Sequence, residues 1–569
     1  MAGQYPVADH HSLVEPLLER IARRPDELAL TLIEDNGSEQ KVSVGELNAR
    51  AASIARALAG EGLEPGDIVI LALRHSLDLI AGLWGVLYAG GIPSIFPYLP
   101  PEPNVEKIGQ QLRMLVSGSG AGALLTLPEF RDSLAEDLAS LGCRVTAPQA
   151  MLRDSGRSLS DIPLRFTSGE EIAYLQYTSG TTGLQKGVLL SHRAILHCVQ
   201  AYARALDLKD TDVVVNWLPL YHDYGLFAGL MLSLLTGIPA VLMSPFKWVR
   251  NPKSLLWAIH RHRGTLSWMP NSAYSHAVHS VRTEDLAGLD LGSLRCLGSA
   301  AEPVMRRTQQ DFLERFAPFG FRETALMTGY GMAENSMAIT VSPVGRRAPI
   351  DWVEARALQT ERFARPATPG DPGAIPIVSC GSAVEGTDIV IADDRGRPVP
   401  ERGVGEITIR TASLFSGYHR RPDLTALAFR DGWFLTGDLG YLAGGQLYVC
   451  GRKKDLIIQA GHNIHPEDIE AVAASVPGSA SGQVVAFGVP DERLGTEKIV
   501  LVCDLRRRAD EAEKVSLERE LRRRVFEELG VTLGEVYLME KTWIVKTHNG
   551  KITRGANRQK YVSEIQKGT

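Results

Sequence analysis

The chain lacks an excess of charge of either sign: 61 Lys and Arg stand against 66 Asp and Glu in 569 residues, a formal net charge of -5. That balance builds no field favouring nucleic acid, so binding has to be argued from individual sites. Cysteine is scarce too. Its six copies (Cys143, Cys198, Cys296, Cys380, Cys450, Cys503) are scattered without a CxxC pair. This indicates neither a zinc site nor a disulfide framework, and a reduced cytoplasm fits best. The start carries no basic-then-apolar signal pattern. Unbroken apolar runs are also missing. Leu79 to Pro101 is interrupted by Gly90, Gly91 and Pro93, and Leu226 to Met243 by Gly237 and Pro239. Each reads as a buried helix turning into a buried strand, not a span of ~20 residues, so no transmembrane segment is expected. No internal repeat is present.

What the chain has is an ordinary globular composition, 44% hydrophobic and 22% charged, at a length that calls for several domains. Through the first 350 residues helix-like and strand-like periodicities alternate. VGELNARAASIARALAGEGL reads as an amphipathic helix, DIVILAL as a buried strand, LIAGLWGVLYAG as a helix and IPSIF as a strand. Alternation of this kind predicts βαβ units and largely parallel sheets. Residues 341–378 are Pro-rich around one short helical piece, unusually long for a connection, and read as an inserted surface feature. Short alternating segments between Gly-containing turns predict a β-rich subdomain over about 380–451. A smaller unit with the strands QVVAFGV and KIVLVCDL and the helix LERELRRRVFEEL follows, placing the cut at about Lys454.

The segment QYTSGTTGLQKGVLLSH poses the main chemical question. Thr178, Ser179, Gly180, Thr181, Thr182, Gly183 and Lys186 supply what a polyphosphate needs: glycines that let backbone N–H groups approach, hydroxyl donors and a cation. The flanks are apolar and Ser191 is placed to cap a helix, so the run is no slack linker. It is not GxxxxGK[ST] either, because Gly187 follows Lys186 and the metal-binding hydroxyl is missing. A metal must be held from elsewhere. TGYGMAEN offers Glu334, an oxygen ligand suited to Mg²⁺, which taken alone could equally be a helix N-terminal acid. TGDLG offers Asp438 in a turn, suited to ribose hydroxyls, which alone reads as a hairpin turn. KTHNGKITR offers Lys551, which alone reads as a solvated lysine in a basic run.

These segments in this order strongly resemble the adenylate-forming superfamily of acyl-CoA synthetases, luciferases and peptide-synthetase adenylation domains. YTSGTTGLQKG, TGYGMAEN, GWFLTGDLGYL, GRKKDLIIQAGHNIHPEDIE and KTHNGKITR carry the resemblance over nearly the whole chain. It implies an α/β fold: a large N-terminal domain (1–453) of two αβ-layered subdomains plus the β-rich subdomain, and a small mobile C-terminal α+β domain (454–569). It also implies a reaction, in which a carboxylate attacks the ATP α-phosphate to give acyl-AMP and pyrophosphate, and a thiol then displaces AMP. By position, the Thr178–Lys186 loop would hold pyrophosphate and Glu334 the Mg²⁺. Asp438 and Arg452 would hold ribose, and Tyr330, between Gly329 and Gly331, would lie near adenine. Lys551 would bridge the carboxylate and phosphate, and Lys454 would be the hinge.

YHDYGL places His222 where acyl-activating members have a His near the substrate entrance. Asp223 is one position displaced from the Asp with which amino-acid-activating members hold an α-amine, so amino-acid activation is disfavoured. NWLPLYHDYGL, SPFKWVRNP, SWMPNSAY, AEPV and the insertion ending in VSCG look more like fatty acyl-AMP ligases, in which the insertion packs on the small domain and disfavours CoA. GHNIHPEDIE and GSAAEPV depart from the pattern usual in those ligases. The resemblance therefore implies a hydrophobic acid substrate, ATP and Mg²⁺, with CoA or the phosphopantetheine of a carrier protein acting in trans as acceptor. Trp268, Met269, Gly298, Ser299 and Ala300 are acyl-pocket candidates that could equally be plain core. A chain performing one half-reaction, a non-catalytic acyl-adenylate binder and a luciferase-type oxidase are the alternatives.

Overall fold

The computed structural model describes residues 7–96, 105–151, 168–177, 186–459, 462–479, 483–491, 496–505, 508–540, 542–547 and 551–565. The alternating segments fold as their periodicity predicts. The helix Leu77–Tyr88 lies between the strands Ile68–Ala72 and Ile92–Ile95, and every one of its side chains except Asp78 is buried, which is why its sequence shows no polar face. It crosses the helix Val44–Gly60 at Gly85, where a Cβ would stand 2.8 Å from the Ala51 carbonyl oxygen. The second apolar run winds as a π-helix over Tyr224–Met231, continues as the helix Leu232–Thr236, turns at Gly237 with φ 92° and enters the strand Ala240–Met243. Among the described residues no helix is long and apolar enough to cross a membrane.

Two sheets dominate the described N-terminal part. Four parallel strands run in the order Ile92–Ile95, Ile68–Ala72, Ala123–Thr126, Arg144–Thr146. A nine-stranded sheet has a parallel centre, in which Leu326–Gly331, Cys296–Ser299, Leu266–Met269, Val214–Asn216 and Ala240–Met243 lie side by side. A five-stranded antiparallel sheet follows, built on Gly405–Thr411, Trp433–Ala443 and Gln446–Arg452. Here the expectation for Asp438 needs correction. TGDLG is no hairpin turn but part of one continuous strand, Trp433–Ala443. Gly437, at φ 75°, takes up a bulge in which Leu439 pairs with Glu406 and Leu435 with Thr408. The turn-like residues mark that bulge.

Within the Pro-rich segment the strands Ile350–Glu354 and Ala374–Val378 pair antiparallel around the helix Ala355–Thr360. Val353, Ala355, Leu358, Ala364 and Ile375 pack into one apolar core with Ile464, Ile469, Leu521, Val525 and Leu529 of the C-terminal part. That smaller part joins Val484–Asp491, Thr496–Asp504 and Glu535–Met539 in a sheet. Its helix Glu511–Leu529 opens on a reciprocal Asp510–Glu513 capping box and closes on Gly530 at φ 67°.

Candidate active site

The strands Ile172–Tyr177 and Gly187–Ser191 run antiparallel, with Tyr177 opposite Gly187. Thr178, Ser179, Gly180, Thr181, Thr182 and Gly183 lie outside the described residues. The strands bracketing them differ from the strand-to-helix passage of a GxxxxGK[ST] loop. Ser191 caps the next helix, accepting the Ala194 N–H at 3.1 Å. The Gln176 amide donates to the Tyr221 carbonyl at 2.8 Å and so ties this hairpin to the loop carrying His222.

Three clusters gather the remaining candidate residues. In the first, the Lys186 ammonium sits 4.6 Å from the centroid of the Tyr418 ring, and the Tyr418 hydroxyl donates to Glu334 Oε1 at 2.8 Å. Gly417–Tyr418 pairs with Gly187–Ser191, so one small sheet brings cation and phenol together and the Tyr418 hydroxyl reaches out of it to the carboxylate. Glu334 is presented by a strained turn. Ser336 has φ 58° and ψ -55°, and the Met337 N–H donates to the Asn335 carbonyl at 2.5 Å. Gly331 is required beneath that turn, because a Cβ there would stand 1.7 Å from the Met337 carbonyl oxygen. Burial pushes the Glu334 carboxyl up, opposed by the Tyr418 hydrogen bond and the Lys186 charge. Among the described residues no group of three or more His, Cys, Asp or Glu could hold a metal ion. One carboxylate, with the other positions left to phosphate oxygens and water, is the usual protein share of a Mg²⁺ site, so the donor set fits a nucleotide-borne Mg²⁺.

In the second cluster the Tyr330 hydroxyl donates to Asp438 Oδ2 at 2.7 Å, and Arg452 Nε stands 3.5 Å from Asp438 Oδ1. Asp438 and Arg452 are cross-strand partners, and Tyr330 lies on the strand Leu326–Gly331 between Gly329 and Gly331. Burial raises the Asp438 carboxyl and the Arg452 charge opposes it. An acceptor beside a guanidinium at the edge of a Gly-flanked strand suits paired sugar hydroxyls.

The third cluster joins the two parts of the chain. Lys551 Nζ donates to His222 Nε2 at 3.3 Å, and His222 Nδ1 lies 2.6 Å from Asp223 Oδ1. Burial lowers the Lys551 pKa, while Asp223 and Glu302 favour its charged form. The loop carrying Lys551 is anchored just after it. Arg554 reaches Glu467 at 2.6 Å, Glu470 at 2.6 Å and Asp455 at 3.4 Å. Lys454 stands next to Asp455, its pKa lowered by burial and by the Arg452 charge.

Trp268, Met269, Gly298 and Ser299 are all buried on neighbouring strands, with Trp268 opposite Gly298 and Met269 opposite Ser299; Ala300 is half-buried. The Trp268 indole donates to the Tyr202 hydroxyl at 2.7 Å. A Cβ on Gly298 would stand 2.5 Å from Trp268 Cδ1 and 2.7 Å from the Tyr224 hydroxyl, so both rings close over that glycine. These residues form a packed wall behind Tyr224, two positions beyond His222.

Reading by motif missed Tyr418, Arg554 and Glu302, and gave Asp223 no positive role. Tyr418 and Glu334 are 84 residues apart, and the signal that joins them is the pairing of two short strands.

The AMP-binding enzyme family matches residues 17–419, and the chain belongs to that family. Within it the protein is an AMP-forming ligase, with the mixed α/β fold of adenylate-forming enzymes. It is 32% identical to a medium-chain-fatty-acid–[acyl-carrier-protein] ligase of Moorena producens over 93% of this chain and 91% of that one. It is likewise 32% identical to a 4-hydroxyphenylalkanoate adenylyltransferase of Mycobacterium tuberculosis over 97% of this chain and 92% of that one. A solved structure from work on fatty acyl-adenylate ligases of E. coli and L. pneumophila superposes with a TM-score of 0.88 at 30% identity, covering 99% of both chains.

Proposed function

We propose that this ligase joins a hydrophobic carboxylic acid to ATP, releasing pyrophosphate. It then transfers the acyl group from AMP to the phosphopantetheine thiol of a carrier protein. The observation that carries the reading is the half-buried Lys551 ammonium set against His222, delivered by the smaller C-terminal part into the face of the larger one. There it can neutralise both the attacking carboxylate and the α-phosphate as charge redistributes between them. Lys186 and the hairpin before it would hold the departing pyrophosphate, while Asp438, Arg452 and Tyr330 fix the nucleoside. Bound at Glu334, Mg²⁺ would supply charge neutralisation at the phosphates.

Lys454 is assigned as the hinge at which residues 454–569 turn to withdraw Lys551 and admit the thiol. The carrier thiol is preferred over CoA because a relative 32% identical is named as an acyl-carrier-protein ligase. Six buried free thiols accord with a reducing cytoplasm. Mass spectrometry of products from ATP, a mixture of fatty and aryl acids, CoA and a carrier protein in competition tests the reading. An acyl-carrier thioester is expected. Acyl-CoA as the main product would reassign the acceptor, and absence of any acyl-AMP would overturn the activity.

A further inference from the structure

Asp223 has no task in the reaction just described, yet its placement is specific. It is half-buried at the start of the π-helix Tyr224–Met231, a rare winding found frequently at functional sites. The turn is pinned by glycines: a Cβ on Gly225 would stand 2.2 Å from the Pro219 carbonyl oxygen, and one on Gly229 would stand 2.1 Å from the Asn216 amide nitrogen. Two contacts fix the imidazole of His222. Nδ1 faces a carboxylate oxygen at 2.6 Å, and Nε2 faces an ammonium at 3.3 Å. Only the tautomer protonated on Nδ1 satisfies both, because an ammonium has no acceptor and a carboxylate no donor. The Tyr224 N–H also lies 3.3 Å from Nδ1, but its shorter contact, 2.7 Å, is with Asp223 Oδ1, the stronger acceptor. Asp223, His222 and Lys551 thus form one line of donors and acceptors that crosses from the large domain to the small one.

We propose that Asp223 is a positioning residue for acid activation: by fixing the His222 tautomer it parks the Lys551 ammonium in the site before the substrates arrive. The inference rests on the activity proposed above. The charged groups that act on Lys551 are Asp223, Glu302 and Arg452. Glu302 is tied to Ser272, accepting its N–H at 2.7 Å and its hydroxyl at 3.0 Å. Asp223 is the carboxylate that reaches Lys551 through His222. Its own carboxyl, which burial would raise, is held below the usual range by His222 and Lys551.

The test is Asp223→Asn beside Asp223→Glu, each checked for native circular dichroism and read in two ways. Lys551 ionisation is followed by pH-dependent labelling with an amine-reactive reagent and quantified on the peptide carrying Lys551, an assay that needs no turnover. In Asp223→Asn the midpoint falls by about 1 pH unit or more, the scale expected for loss of an opposite charge. Asp223→Glu keeps the charge and holds the midpoint near wild type. Pyrophosphate exchange then loses about 10²-fold in kcat in both variants, because the lysine is misplaced in each, with the KM for ATP little changed. An unshifted labelling midpoint in Asp223→Asn, or full exchange in Asp223→Glu, overturns the proposal. If wild type itself shows no exchange with any acid, the activity fails while the labelling still decides the role of Asp223.

Discussion

The nucleotide side of the site and its lysine side are built from different materials. Tyr330, Asp438, Arg452 and Tyr418 stand on paired strands of the large domain, with Glu334 on a short turn, beside or within an apolar core. Lys551 comes from the small domain and is anchored by ions: one guanidinium against three carboxylates, with His465 buried beside them. A site that only binds can be fixed by a core. A lysine proposed to withdraw with its domain needs a loop held firmly to that domain, and Arg554, Glu467, Glu470 and Asp455 all belong to it, so the cluster travels with Lys551.

The sharpest way to break this contrast is Arg554→Ala. Stranding Glu467 and Glu470 should cost the small domain about 3–5 kcal/mol, read as faster hydrogen exchange over the helix Pro466–Ser475 with the large-domain strands unaffected. Loss spread evenly over both domains would erase the distinction. Lys551→Ala should lower acyl-AMP formation by ~10²-fold or more while sparing thioester formation from synthetic acyl-AMP. If both half-reactions fall together, the lysine is not confined to the first. Tyr418→Phe removes a hydrogen bond to a charged group, worth about 1.5–3 kcal/mol, and should raise the Mg²⁺ needed for half-maximal exchange about tenfold. An unchanged requirement would detach Tyr418 from Glu334.

The smallest effect concerns pH. Burial, with Glu467 and Glu470 nearby, pushes the Asp468 carboxyl up to about 8, far above the ordinary ~3.9. The folded chain therefore holds a proton that the unfolded chain releases, so this group's contribution to stability is complete at low pH and is lost as pH rises toward 8. Asp468→Asn should flatten that decline, leaving the variant with a higher Tm than wild type at pH 8.5 and little difference at pH 5. Parallel declines would argue against a buried proton there.

Much of this was legible beforehand because it is written locally. The helix and strand periods, the Ser191 cap and the run Leu77–Tyr88 need only near neighbours. Glu334, Asp438, Arg452 and Lys551 could be selected by motif, and the structure gives them the partners Tyr418, Tyr330 and His222. What stayed illegible depends on pairing across long separations. TGDLG looks like a turn because Gly and Asp usually make turns, yet a partner strand drew it into a bulge. Tyr418 acquires meaning only when its strand meets Gly187–Ser191. Arg554 stood in a quoted motif without a role, since its three carboxylates lie 84 to 99 residues upstream. Asp223 was weighed only against an amine, because sequence cannot show an imidazole turned onto it.

For the proposed rotation of the small domain, the segment between Ile350 and Val378 implies a temperature dependence. Val353, Ala355, Leu358, Ala364 and Ile375 lie in the same core as Leu521, Val525 and Leu529. Any rotation of the small domain that parts these side chains exposes apolar surface, with a positive heat-capacity change. Apolar contact weakens on cooling. The balance between the two poses would then drift with temperature, and the acid-activating pose would be least secure in the cold.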